Sequence, residues 1–323
     1  MKCLCCNKEL DEHSTLEELQ SRWHKSCVKK FFGTDTLPEI DVSNKVLEQL
    51  AIESTNKGYT VPGVQKKLSL HLSDESGRKP RLTLVNYLTG YILKPQTEDY
   101  RALPEAEFLV MCMASATKIK TVPFALLYSQ DGKYSYITKR IDRVKKGKQT
   151  KLLAMEDFCQ LDYRLTIDKY KGSYERCAKV IDKYSANTGI DKTELFFRLV
   201  FSFVVGNSDM HLKNFSLIET KPESGEYHLS DAYDLLPVNT VSKDKEQMAL
   251  TLNGKKQNIR YKDFMVFAEN SKINRKSAEN MIKKIVSMKD TYLTLCQESY
   301  LPDDLKENLS NLIEERIKVI DRK

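Results

Sequence analysis

The stretch Val204-Val-Gly-Asn-Ser-Asp-Met-His-Leu-Lys-Asn-Phe-Ser-Leu217 runs from an apolar lead-in through a polar loop to an apolar exit. Within it, Asp209 and Asn214 stand five residues apart. Phosphoryl-transfer loops of the H-R-D-x-x-x-x-N type keep that interval between a catalytic aspartate and a metal-binding asparagine. The chemistry needs both groups: a carboxylate to accept or orient the proton of an attacking hydroxyl, and an amide oxygen to help hold Mg²⁺ on the phosphates. His211, in the same loop, is a candidate nucleotide contact; a histidine that merely hydrogen-bonds the loop is the plainer alternative. Downstream, Leu229-Ser-Asp-Ala-Tyr-Asp-Leu-Leu-Pro237 offers Asp234 as second metal ligand, since Tyr233 and Leu235 could lock its backbone against a core. Asp231 is the competing acid.

Two further segments suit the other end of a nucleotide. Tyr91-Ile-Leu-Lys94 reads as a strand ending in lysine. A strand-borne lysine clamps α- and β-phosphates when a helix glutamate holds it in place. Glu107 on the following helix is the natural partner, while Glu105 lies on a different face. Tyr59-Thr-Val-Pro-Gly-Val-Gln-Lys-Lys-Leu-Ser69 has Gly63, whose missing Cβ lets backbone approach phosphate oxygens, with Lys66 and Lys67 as cations. A plain hairpin turn fits that stretch equally well.

A third cluster stands apart. Cys3-x-x-Cys6 and His24-x-x-Cys27 are separated by 17 residues, a spacing that suits a closed tetrahedral Cys₃His zinc site. Trp23 would cover the metal, and Cys5 is a spare thiol that could replace Cys3. A reduced, metal-free cluster is the alternative, though so short a segment has little core without a staple.

The elements that must carry these residues follow from the apolar pattern. A helix over 42–54 is expected from Val46, Leu47, Leu50 and Ala51 on one face. Strands are expected at Lys67–Leu72, Leu82–Tyr87, Tyr91–Lys94, Val122–Tyr128 and Tyr134–Thr138. The last two flank the turn signal Asp131-Gly132. A helix is expected over Leu103–Thr117. After residue 150 helical patterns dominate, at 173–187, 191–205, 261–270, 276–296 and 302–321, with one strand pair at Phe215–Ile218 and Tyr227–Ser230. The expected fold is α+β and two-lobed, protein-kinase-like, with a small β-rich N-lobe and a larger helical C-lobe. The expected divisions are a Cys/His-rich knob at 1–33, a helical linker at 34–58, the N-lobe at 59–142 and the C-lobe at 143–323. A polar, basic connector lies near 141–151.

Composition limits the classes open to the chain. Its 323 residues are 41% hydrophobic and 30% charged, enough apolar mass for a sizeable core and too much for a disordered chain. Net charge is +7, which permits an acidic partner without demanding nucleic acid. No apolar run nears the roughly 18 residues of a membrane span, and the N-terminus lacks an apolar signal region. Four of the eight Cys are scattered singly and four cluster before residue 30, so reduced thiols in a cytoplasmic protein are expected rather than a disulfide scaffold.

Taken together, the segments resemble the HipA-type serine/threonine kinases of bacterial toxin–antitoxin systems. The resemblance rests on Thr60-Val-Pro-Gly-Val-Gln-Lys-Lys-Leu-Ser-Leu, Ile92-Leu-Lys-Pro, Lys139-Arg-Ile-Asp-Arg143, Met155-Glu-Asp-Phe-Cys-Gln160, Tyr170-Lys-Gly-Ser-Tyr-Glu175, Asp209-Met-His-Leu-Lys-Asn-Phe-Ser216 and Tyr233-Asp-Leu-Leu-Pro237. It covers the chain from about residue 57 onward. It implies ATP and Mg²⁺ as cofactors and transfer of the γ-phosphate to a Ser/Thr hydroxyl of a protein, by resemblance an aminoacyl-tRNA synthetase, with growth arrest as the outcome. By position it assigns Asp209 as catalytic, Asn214 and Asp234 to Mg²⁺, Lys94 to phosphate, and Val61, Pro62, Gly63, Val64 and Gln65 to the glycine loop. Ile137 to Lys139 become the strand offering backbone hydrogen bonds to adenine. Thr60 stands where relatives carry an autophosphorylated serine, and phosphate there would compete with ATP for the same donors. Full-length members carry an additional N-terminal β subdomain, so this chain resembles the shorter, split form. The expected partners are a helix-turn-helix, HipB-like antitoxin, a separate small protein like the missing subdomain, and the protein substrate. DNA contact is expected only through the antitoxin, and no membrane association is expected. Two rival functions stay open: a DNA-bound corepressor with a vestigial site, suggested by the basic run Arg143–Lys151, and a kinase for a small molecule or lipid.

Overall fold

The structure is a computed structural model describing residues 1–39, 67–73, 79–83, 90–129, 131–146, 149–242 and 245–321. The glycine loop Val61–Gln65, Thr60 and the helix expected over 42–54 lie outside the described residues. Contacts divide the chain into two compact units: Met1–Phe108 with Val122–Ile141, and Leu109–Thr121 with Asp142–Lys323.

The first unit is built on a five-stranded antiparallel sheet in the order β2-β1-β3-β5-β4. Its strands are β1 (Leu68–Ser73), β2 (Arg81–Thr83), β3 (Tyr91–Pro95), β4 (Phe124–Tyr128) and β5 (Tyr134–Lys139). In β1, Leu68 and Leu70 are buried and alternate with partly exposed Ser69 and His71, as a strand with one covered face requires. β3 and β5 are interior, with Leu93 opposite Ile137 and Lys94 opposite Tyr136. The turn from β3 into the helix Leu103–Thr117 is organised by Gln96. Its amide nitrogen donates to the carbonyls of Thr97 and Tyr100, and its amide oxygen accepts from Leu103 N at 3.1 Å. One side chain thereby closes the turn and satisfies an orphan amide of the helix start.

The N-terminal residues belong to this unit. A tight turn after Cys3, with Asn7 in the left-handed region, brings Cys3 N to Lys8 O at 2.8 Å. Two short helices follow, Leu16–Ser21, entered through a Thr15/Glu18 capping box, and Lys25–Phe32, ended by Gly33 at φ 80°. Trp23, Phe31, Phe32 and Tyr91 form one aromatic cluster, with centroids 4.8–5.8 Å apart along its contacts.

The second unit is organised around the helix Thr188–Val204. From Leu195 to Val204 it buries residues on every side, so it reads as a core helix rather than an amphipathic surface one. Phe196 and Phe203 pack on Phe264 of the helix Tyr261–Asn270, and Phe201 packs edge-on to Tyr292. The helices Tyr174–Tyr184, Arg275–Ser287, Lys289–Gln297 and Asp303–Ile320 complete the described helical body. Among the described residues, no helix is long and apolar enough to cross a membrane.

Three details differ from the sequence expectation. The pattern over 276–296 is two helices broken at Met288, which serves as C-cap of one and N-cap of the next. The basic connector forms a two-stranded hairpin of β6 (Arg143–Lys146) and β7 (Gln149–Leu152). The expected strand pair gains a third member: β8 (Met155–Asp157) pairs with β9 (Ser216–Glu219), which pairs with β10 (Tyr227–Leu229).

Candidate active site

The polar loop leaves the buried helix at Gly206, where φ is +70° and an added Cβ would lie 2.4 Å from Leu312 Cδ2 and 3.3 Å from Asn239 Cβ. No other residue fits that turn without displacing neighbours. The loop then ties itself together. Asn207 Oδ1 accepts from Asp209 N at 3.3 Å. The Asp209 carbonyl accepts twice, from His211 N at 2.7 Å and from Asn214 Nδ2 at 2.8 Å. With its amide nitrogen so used, Asn214 has its Oδ1 oxygen left as acceptor, the atom type a hard cation requires.

The segment Lys169–Tyr174 buttresses this loop from outside. Tyr170 donates its hydroxyl to Asp209 Oδ1 at 2.6 Å, Leu212 N donates to Lys169 O at 3.1 Å, and Tyr174 donates to Met210 O at 3.1 Å. Burial pushes the Tyr174 hydroxyl far above the ordinary phenol range, so it acts as a fixed neutral donor. On the other flank, Tyr233 donates to Lys213 O at 3.1 Å and shares a 2.6 Å hydrogen bond with Ser216 Oγ. Lys213 in turn ion-pairs with Asp157, which caps the helix Phe158–Leu161.

Asp234 follows Tyr233 directly and sits in the left-handed region at φ 59°. Aspartate is among the few L-residues that tolerate this conformation, and such outliers collect at functional sites. His211 is 5% exposed, with its ring edge-on to Tyr170 at 4.9 Å. Burial is the main cause that lowers its pKa; the charges of Asp209 and Asp234 act in the opposite direction, so both carboxylates reach the same imidazole electrostatically. His211 Nδ1 is buried with no hydrogen-bond partner among the described residues.

In the first unit, Lys94 Nζ lies 2.6 Å from Glu107 Oε1, with side chains 5% and 2% exposed. The ammonium also sits 5.3 Å from the Tyr136 ring centroid. Glu105, two residues before, does not share this pair; burial raises its carboxyl pKa.

Ile137 and Lys139, the residues read for adenine binding, both lie in β5. Ile137 is fully buried in β5, opposite Leu93 on one side and Ala125 on the other, and Lys139 N donates to Pro123 O at 2.9 Å. The backbone amide of Lys139 is thus committed within the unit, and Ile137 is paired on both sides. Two residues that support the site carried no sequence signal of their own. Tyr170 lies 39 residues from the carboxylate it contacts, and Gln96 works through its amide geometry. Tyr170 does head a segment shared with the resembled family.

Cys3, Cys6, His24 and Cys27 are brought together, with their ligand atoms all within 4.8 Å of one another. Hydrogen bonds from the Cys27 and Cys6 thiols hold the Cys3 thiol far below its ordinary pKa, and the thiols of Cys6 and Cys27 are correspondingly pushed up.

Proteins of known structure share this fold. The HipA of the Shewanella oneidensis MR-1 toxin–antitoxin system, solved with HipB and operator DNA, superposes with a TM-score of 0.67 at 16% identity, over 86% of this chain and 73% of that one. The Helicobacter pylori proinflammatory kinase CtkA superposes with a TM-score of 0.56 at 18% identity, over 81% and 91% respectively. The fold is therefore the α+β, kinase-like class. In sequence, a Haemophilus influenzae protein named "Putative kinase" is 29% identical over 278 residues, spanning 76% of this chain and 77% of that protein. "Putative kinase Y4dM" of Sinorhizobium fredii is 31% identical over 227 residues, 65% of this chain and 53% of its own length. The family model described as HipA-like C-terminal domain matches residues 59–292, and the chain belongs to that family.

Proposed function

We propose that this protein is an ATP- and Mg²⁺-dependent phosphotransferase that moves a γ-phosphate to a Ser/Thr hydroxyl of a protein. The observation that carries the reading is the self-bonded loop in which Asn214 donates to the Asp209 carbonyl and Tyr170 donates to the Asp209 carboxylate. Asp209 takes the role of base, orienting the acceptor hydroxyl. The donor set of Asn214 and Asp234, an amide oxygen and a carboxylate, fits Mg²⁺, which prefers oxygen ligands and keeps several waters. Mg²⁺ held by Asn214 and Asp234 would neutralise charge on the phosphates. Lys94, held by Glu107, binds phosphate oxygens as a fixed cation, as in protein kinases. His211, whose buried Nδ1 has no partner among the described residues, offers a further polar contact. Val61, Pro62, Gly63, Val64 and Gln65 are assigned to phosphate by motif alone, and Thr60 to autophosphorylation.

The Shewanella complex motivates the partner: a HipB-like antitoxin, with DNA contacted through it. Growth arrest through phosphorylation of a translation enzyme is the corresponding cellular role. The test is transfer of radiolabel from γ-labelled ATP in the presence of Mg²⁺. Asp209→Ala should reduce transfer at least about a hundredfold. Undiminished transfer in that variant would remove Asp209 from the role. Phosphoproteomics after brief induction, set against Asp209→Ala, identifies the acceptor and whether it is Ser/Thr. Steeply salt-dependent DNA binding by the isolated chain would instead favour the corepressor reading.

A further inference from the structure

We propose that Cys3, Cys6, His24 and Cys27 bind one structural Zn²⁺, and that this ion fastens the N-terminal knob to the outer edge of the first unit's sheet.

The donor geometry is that of a closed tetrahedral site. Tetrahedral zinc with Zn–S near 2.3 Å and Zn–N near 2.0–2.1 Å sets ligand atoms about 3.5–3.8 Å apart. Cys6 Sγ lies 3.4 Å from His24 Nδ1, and all four ligand atoms fall within 4.8 Å of one another. The histidine is set up for metal through its other nitrogen. His24 Nε2 lies 3.1 Å from Glu9 O, so Nε2 carries the proton, donates to that carbonyl, and leaves the Nδ1 lone pair facing the cysteines. Although His24 occupies the N-cap of the helix Lys25–Phe32, its side chain makes no capping bond. The ring is turned to the thiols instead. His24 N also donates to Cys3 Sγ at 3.4 Å, a contact that favours sulfur as thiolate. Cys27 is placed one turn into the same helix. A single helix start and a single tight turn therefore deliver all four ligands.

The purpose of the ion follows from what the ligands are attached to. Leu4, next to Cys3, accepts at its carbonyl from Leu126 N at 2.8 Å, and Leu4 N donates to Arg22 O at 2.8 Å. Leu126 lies in β4, one of the two edge strands of the sheet. Arg22 donates to Tyr134 Oη at 2.8 Å and covers the Tyr128 ring at 5.1 Å. Trp23, adjacent to His24 and 1% exposed, enters the aromatic cluster that includes Tyr91 of β3. Cys3 is thus one residue from a direct contact to the sheet, through Leu4, and His24 two residues from one, through Arg22. The Cys₃His set selects zinc over harder cations, and the closed set leaves no position for catalysis. None of this depends on the phosphotransferase reading.

The chain purified without chelator should contain about one zinc per molecule, and cobalt(II) exchanged into it should show the intense visible bands of a tetrahedral thiolate site. Cys5→Ser should retain the metal, and Cys27→Ser should lose it. Stripping zinc from the wild-type chain should speed amide exchange in the β4 segment about tenfold or more, reversed by adding zinc back. Less than about half an equivalent of zinc together with no tetrahedral cobalt spectrum would overturn the site. Full zinc occupancy with unchanged β4 exchange on stripping would overturn its role as a fastener. Because metal content, cobalt spectrum and exchange are all read on the wild-type chain, misfolding of Cys27→Ser would not blur the result.

Discussion

The Lys94–Glu107 pair and the Asp209 loop hold their charges by opposite means. The pair is dry: both side chains are almost wholly out of solvent, with the two charged groups 2.6 Å apart. The loop is partly open: Asp209 and Asp234 are half-buried, and their positions are set by backbone hydrogen bonds, a left-handed residue and neighbouring tyrosines. A buried ion pair contributes little net stability, but breaking it is expensive because one charge is stranded. A half-exposed carboxylate can be neutralised at small cost to the fold. A change to the first arrangement is therefore expected to cost stability, and a change to the second is not.

Substitutions can break or sharpen that contrast. Glu107→Ala removes the carboxylate 2.6 Å from the buried Lys94 ammonium and should destabilise the protein by about 3–5 kcal/mol in denaturant unfolding, whereas the double change Lys94→Met with Glu107→Leu should recover most of that loss. Recovery of less than half would mean the pair is not the main issue. Asp209→Asn should cut phosphotransfer by about 10²–10⁴ while shifting unfolding free energy by less than about 1 kcal/mol. A stability loss there as large as in Glu107→Ala would erase the distinction. Tyr170→Phe removes one donor from the Asp209 carboxylate and should cost about 1 kcal/mol, with a rate change below about tenfold.

The smallest effect concerns His211. Its folded pKa lies below the ordinary value near 6.5, so the unfolded chain binds the proton more readily. The stabilising contribution is complete above that value and is lost as pH falls below it toward the folded pKa. His211→Asn should flatten this part of the stability–pH curve, on the acid side of the ordinary histidine value. An unchanged slope would assign the acid sensitivity elsewhere.

Much of this could be read from residue order, and the exceptions have physical causes. The helix Leu103–Thr117 has the bounds its apolar pattern suggests, and helical phase alone distinguishes Glu107 from Glu105 as the residue facing Lys94. The five-residue interval from Asp209 to Asn214 closes as a hydrogen-bonded loop. By contrast, β8 is three residues long, too short for alternation to register. The hairpin β6–β7 is rich in Lys and Arg, and such a run reads as a solvated loop until backbone pairing is seen. The commitment of Lys139 N to Pro123 depends on β5 being interior, and strand order is not written in any local pattern. Tyr170 reaching Asp209 is likewise a product of tertiary folding.

The carbonyl of Leu4 occupies an amide of β4 that would otherwise face outward. Sheet borders with unsatisfied amides recruit foreign strands. A shortened version of the protein beginning at residue 34 would keep every candidate catalytic residue and still be a poor choice for production. Its bare margin would invite copies to zip together, and insoluble material would be mistaken for a failure of the enzyme.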